Sequence, residues 1–138
     1  MQAADGHMTD NRLWWHFVPS LLVVAGITYL SMIKAVPFQV MGDIPLADKW
    51  GHMLAYLVLA LCMAGDGLRA RLRTKTLYMI SVLLPIAYGG LMELVQLHCP
   101  PRSAEWTDWL ADGIGTAIGV ALFGIYHLLS NKFSRKTT

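Results

Sequence analysis

Residues 77–98 read LYMISVLLPIAYGGLMELVQLH. The first 16 of them, Leu77 to Met92, carry no charge, which amounts to about 24 Å of apolar rod at about 1.5 Å per helical residue. A bilayer core about 30 Å thick needs about 20 residues of helix. The segment is therefore long enough to cross, and Glu93 falls inside its last part. Three further segments, 13–33, 49–67 and 107–130, have the same length and apolar character. The expectation is an all-α fold, a bundle of four transmembrane helices spanning residues 13–130, between a tail at 1–12 and a basic tail at 131–138. The opening MQAADGHM contains Gly6-His7-Met8, a string that cloning can leave, so residues before Thr9, His7 among them, are expected to carry no functional signal. The first apolar run exceeds the about 7–15 residues of a secretory signal core and no small-x-small cleavage site follows it, so it reads as a retained helix.

Composition points the same way. Of 138 residues, 55% are apolar and 14% charged, against about 25% charged in a soluble domain, and the mean hydropathy is +0.46. The formal net charge is only +2, and the basic residues form two short clusters, not a stripe, which excludes nucleic acid as the expected partner. Cys62 and Cys99 are too few and too differently placed for a disulfide framework or a thiolate metal site, and no cofactor is expected.

Lys and Arg in short loops set orientation. Arg69, Arg71, Arg73, Lys75, Lys132, Arg135, Lys136 and Arg12 would lie on one side and only Lys34, Lys49 and Arg102 on the other, so both termini should be cytoplasmic. Trp14 and Trp15 then sit at the inner interface and Trp50, Trp106 and Trp109 at the outer one, as an aromatic belt requires. The acids show the opposite bias: Asp43, Asp48, Glu93, Glu105, Asp108 and Asp112 lie outward, and Asp5, Asp10 and Asp66 inward. Acids contribute little to orientation, so this asymmetry needs another cause, and a site is the one expected.

In the second span Lys49, His52 and Tyr56 stand at i, i+3 and i+7, on one helical face, with Asp48 flanking them. In the third, Glu93 and Gln96 share a face. In the fourth, Asp108 and Asp112 stand at i and i+4, and Gly115, Thr116 and Gly119 continue the stripe; Gly115 and Gly119 form a GxxxG pair that lets another helix approach closely. A carboxylate left unpaired in a membrane costs several kcal/mol even on the lower scales, so Glu93 and Asp112 should face the interior and find partners such as Lys49, His52 or Arg102. The Cys99-Pro100-Pro101-Arg102 break keeps the third and fourth spans close, and Pro85 should kink the third span before Glu93. The expected result is an outward-facing polar pocket.

The strings Asp48-Lys49-x-x-His52-x-x-x-Tyr56, Tyr88-Gly89-x-x-x-Glu93-x-x-Gln96, Pro101-Arg102 and Trp106-x-Asp108-x-x-x-Asp112-x-x-Gly115-x-x-x-Gly119 resemble the VanZ-like family of small bacterial membrane proteins over about residues 45–120. The family pattern often has Asn where this chain has Asp112, which adds a negative charge here. The resemblance implies a place in the cell envelope, and the founding member is associated with resistance to teicoplanin, a lipid-tailed glycopeptide.

The residues allow several chemistries. His52, Glu93, Asp108 and Asp112 suit Mg, Mn or Zn, but no compact ligand motif such as HExxH is present, which favours an internal salt-bridge network with Lys49 and Arg102. Glu93 and His52 are the candidate acid and base, with no nucleophile evident. Lys49 and Arg102 could hold a phosphate or carboxylate, and Tyr56, Gln96, Asp108 and Asp112 complete the ligand-binding set. A proton-coupled transporter would normally place its site nearer the midplane. The expected function is binding or modifying an envelope lipid or lipid-linked precursor in the bacterial inner membrane, with an effect on glycopeptide sensitivity. The alternative is a non-catalytic accessory subunit of a larger complex, with a partner membrane protein or a second copy of the chain as its partner.

Overall fold

The structure, a computed structural model, describes residues 13–32, 46–98 and 104–134. Leu13–Phe17 form a turn of 3-10 helix that leads into α1 (Val18–Met32); α2 covers Ala47–Arg69, α3 Thr74–Gln96 and α4 Trp106–Ser134. The described residues hold no strand, and four helices are long and apolar enough to cross a membrane. The expected all-α membrane-helix bundle is what forms. The helices overrun the expected spans at several ends, and α4 continues through residues 131–134, assigned above to the tail. The proline break at 99–102 and the remainder of that tail lie outside the described residues, as does residue 33, the end of the first expected span.

Large apolar side chains face outward on every helix, among them Leu22, Leu54, Leu83, Leu94 and Leu128. In water such a surface would drive aggregation; in lipid it is the natural exterior, and the interior can then be polar where its groups are paired. The buried residues match that inversion, since Ser20, Asp66, Ser81, Glu93, Gln96, Asp108, Asp112 and Thr116 are all buried. The buried apolar groups form two small clusters, one of Ile27, Tyr56, Leu59 and Met63 between α1 and α2, the other of Ala64, Leu77 and Phe123 joining α2, α3 and α4.

The α2–α3 connection is short and shaped by backbone alone. Arg71 has a left-handed φ of 55°, its N–H donates to Leu68 O at 3.0 Å, and the Leu72 N–H reaches back to Gly67 O at 2.9 Å. These are the two hydrogen bonds of a Schellman termination, with arginine where glycine is usual. The turn makes α3 antiparallel to α2, while α4 runs parallel to α2.

The central pair is α2 and α4. A Cβ on Gly115 would overlap the Met53 carbonyl, and one on Gly119 would lie 2.6 Å from the Leu57 carbonyl oxygen and 3.1 Å from the Ala60 Cβ. Both glycines of the GxxxG pair are thus in backbone contact with α2. Lipid supplies no hydrophobic drive between helices, so such close van der Waals approach is what holds them. α1 is tied differently: Thr28 Oγ1 and Tyr88 OH stand 2.7 Å apart, and Tyr88 OH also donates to Val24 O at 3.2 Å. α3 runs through Pro85 as one helix, and Ser81 Oγ donates back to Leu77 O at 2.8 Å.

Gly115→Leu should force α2 and α4 apart and cost about 1–3 kcal/mol, the usual range for overpacking. Gly113→Ala, on the same helix with nothing within 4 Å of its built Cβ, should be neutral or stabilising. Thermal melting of both variants in one detergent checks this, and equal melting temperatures would contradict the packing.

Candidate functional site

The register set by Gly115 and Gly119 brings the first turns of α2 and α4 together as successive rungs. Lys49 Nζ donates to Asp108 Oδ1 at 2.6 Å and to Glu105 Oε2 at 3.0 Å. One turn further in, His52 Nδ1 lies 2.9 Å from Asp112 Oδ1, and His52 Nε2 stands 3.7 Å from Asp108 Oδ2. Asp112 is only 1% exposed, and an ionised carboxylate there requires a donor. Assigning the Nδ1 proton to His52 satisfies it.

Glu93 finds a different partner from those expected. Its Oε2 accepts from the backbone N–H of Glu105 at 2.9 Å, and Glu105 O in turn accepts from Asp108 N at 2.9 Å. Glu93 therefore caps the start of α4 from α3, where an unsatisfied N–H and the positive end of the helix dipole favour a carboxylate. Gln96 is buried one turn beyond Glu93 on the same face. Tyr56 lies deeper in the bundle, 1% exposed in the apolar cluster, with its ring centroid 6.1 Å from that of Tyr88.

Two glycines let α4 reach α3. A Cβ on Gly89 would lie 2.6 Å from Asp112 Oδ2 and 3.3 Å from Trp109 Cδ1, and Gly90 lies under the Trp109 indole. Trp109 Nε1 donates to Ile86 O at 2.9 Å, so a residue expected only in the aromatic belt also links two helices. The structure thus gathers Lys49, His52, Glu93, Gln96, Asp108 and Asp112 at one end of the bundle, where α2 and α4 begin and α3 ends. Arg102 lies outside the described residues.

The chain matches the sequence profile of the VanZ/LLP1 family over residues 11–128. It belongs to the VanZ/LLP1 family. No curated protein and no solved structure matches the chain. The matched stretch includes every residue of the polar cluster and all of the bundle except the last turns of α4, which runs on to Ser134.

A second polar cluster, one without an expected role, occupies the opposite end. Asp66, fully buried, accepts from Ser20 N at 3.0 Å and Ser20 Oγ at 2.5 Å, and pairs with Arg69 through its other oxygen. It fastens the first turn of α1 much as Glu93 fastens the start of α4. A signal was present: an acid within an apolar run with Arg at i+3 is costly in a membrane unless it is paired. Its partner Ser20 is 46 residues away and carried no signal.

Glu105 is exposed, and the Lys49 ammonium bonded to it holds its carboxyl below the ordinary value of 4.5. A depressed carboxyl stabilises the fold above its unfolded value and loses that contribution as pH falls through the folded one. Wild type should therefore melt above Glu105→Gln at pH 7, and the two should converge as pH drops below 4.5. A difference independent of pH would show that the ion pair contributes nothing.

Proposed function

We propose that this VanZ/LLP1 protein binds an envelope lipid or lipid-linked precursor at the end of the bundle that carries Lys49, with that end facing the outer leaflet of the bacterial inner membrane. The observation that carries this reading is a polar cluster beside an apolar groove. The groove, about 580 Å³, lies between α1 and α2 and is lined by Val23, Gly26, Leu30, Trp50, Leu54 and Val58 with four further residues. Trp50, one of the lining residues, is on the same turn of α2 as Asp48 and Lys49. An amphiphile needs these two surfaces together: an apolar slot for a chain and charged groups at headgroup depth. Lys49 keeps 27% of its side chain exposed while bonded to Asp108 and Glu105, which leaves a donor edge for a headgroup oxygen. Arg102, outside the described residues, is the second cation that the sequence offers such a headgroup, with a guanidinium fork suited to a phosphate.

In this reading His52, Asp108, Asp112, Glu93 and Gln96 hold the headgroup end rigid, and Tyr56 seals the cluster from the apolar interior below. Sequestering or presenting a precursor lipid would alter the sensitivity of the cell to glycopeptides with lipid tails such as teicoplanin.

Gly26 offers a clean test, because it lines the groove and a Cβ built there meets nothing within 4 Å. Gly26→Phe should fill the slot without disturbing the helices. Native mass spectrometry from gentle detergent should show a lipid adduct on wild type that is lost in Gly26→Phe and in Lys49→Ala. Bare wild-type protein, or an adduct indifferent to both changes, would overturn the proposal.

A further inference from the structure

We propose that Asp48, His52 and Asp108 form a binding site for one divalent transition metal ion of the zinc or manganese class. One ligand atom from each of the three lies within 4.8 Å of the others. The inference stands apart from the lipid reading, since it rests on the polar cluster alone.

The argument begins with His52. Its Nδ1 is bonded to Asp112 Oδ1 at 2.9 Å, and with the proton on that nitrogen, Nε2 presents a lone pair. That lone pair faces Asp108 Oδ2 at 3.7 Å, too far for a hydrogen bond, with Asp48 completing the group. With His52 neutral, three acceptors converge on one gap, and either a proton on Nε2 or a cation between them relieves their repulsion. A histidine that gives its other ring N–H to a carboxylate is also the usual outer-shell arrangement at metal sites, where the carboxylate fixes the tautomer and raises the basicity of the ligand. Asp112, 1% exposed, is held in that position.

Charge is the second, independent observation. Among the described residues at this end, Lys49 is the one lysine or arginine set against five carboxyl groups, those of Asp48, Glu93, Glu105, Asp108 and Asp112, and it bonds only Glu105 and Asp108. Asp108 Oδ1 is taken by Lys49 while Oδ2 is turned toward His52, so the ammonium neutralises one side of the carboxylate and leaves the other oriented into the gap. One imidazole with two carboxylates selects a borderline ion; a site for calcium or magnesium would use oxygen alone. Three protein ligands leave a coordination position open. If the lipid reading holds, that open position turns an acidic cluster into one that accepts an anionic headgroup.

Calorimetry with chelator-treated, lipid-free protein in detergent at pH 7, titrated with Zn²⁺ and separately with Mn²⁺, tests the site. One ion per chain is expected for at least one of the two metals. Asp48→Asn removes an exposed ligand and should abolish or sharply weaken binding, and a metal-dependent rise in melting temperature seen in wild type should vanish with it. Asp112→Asn should weaken affinity roughly 10–100-fold, the usual effect of losing an outer-shell partner. Lys49→Met should tighten binding, since it removes the cation competing for Asp108. No saturable binding by wild type of either metal, or binding that Asp48→Asn leaves unchanged, would overturn the proposal and leave an imidazolium–carboxylate pair at His52. Metal binding without a lipid adduct would refute the lipid reading alone.

Discussion

The contact between the α4 glycines and the α2 backbone is the constraint on which the rest depends. Gly115 and Gly119 lie against the carbonyls of Met53 and Leu57, a separation that no larger residue permits. Because α2 and α4 run parallel, this one register aligns Lys49 with Asp108 and His52 with Asp112. Any side chain at Gly115 would move the ion pairs as well as the helices. Packing and electrostatics are therefore a single arrangement in this protein: the apolar half of the stripe holds the helices at the distance the charged half requires.

Buried carboxylates meet the membrane's demand for pairing in two ways. Asp112 and Asp108 use side chains, through His52 and Lys49. Glu93 and Asp66 use the backbone, each accepting an N–H at or near the start of a neighbouring helix. The second solution fixes where α4 and α1 begin and satisfies donors that a helix start leaves open. It also makes the two ends of the bundle unlike: the Asp66 end closes on an arginine, whereas the Lys49 end carries more acid than base among the described residues. That imbalance is the feature a ligand or ion would answer. The groove between α1 and α2 lies beside the same end, and α1 keeps it open because Gly26 contributes no side chain there.

Much of this was legible from residue order. Hydropathy and length determined four membrane helices, because the backbone in lipid must satisfy its own hydrogen bonds and a helix is the local way to do so. Helical spacing put Lys49, His52 and Tyr56 on one face, and Asp108, Asp112, Gly115 and Gly119 on another, because periodicity is a property of a single helix. The family resemblance rested on the same strings, and the family match covers them.

What tertiary structure alone decided is which face meets which. A GxxxG pair announces a close approach without naming the partner, and the partner proved to be the α2 backbone. Glu93 was expected to pair with a side chain and instead accepts from the Glu105 backbone N–H, a donor every residue but proline owns and therefore one invisible to a reading of side-chain types. Ser20 with Asp66 and Thr28 with Tyr88 are likewise joined across 46 and 60 residues. Local order sets the chemistry available on each helix, whereas pairing depends on the distance and rotation between helices, and those come from packing the whole bundle at once.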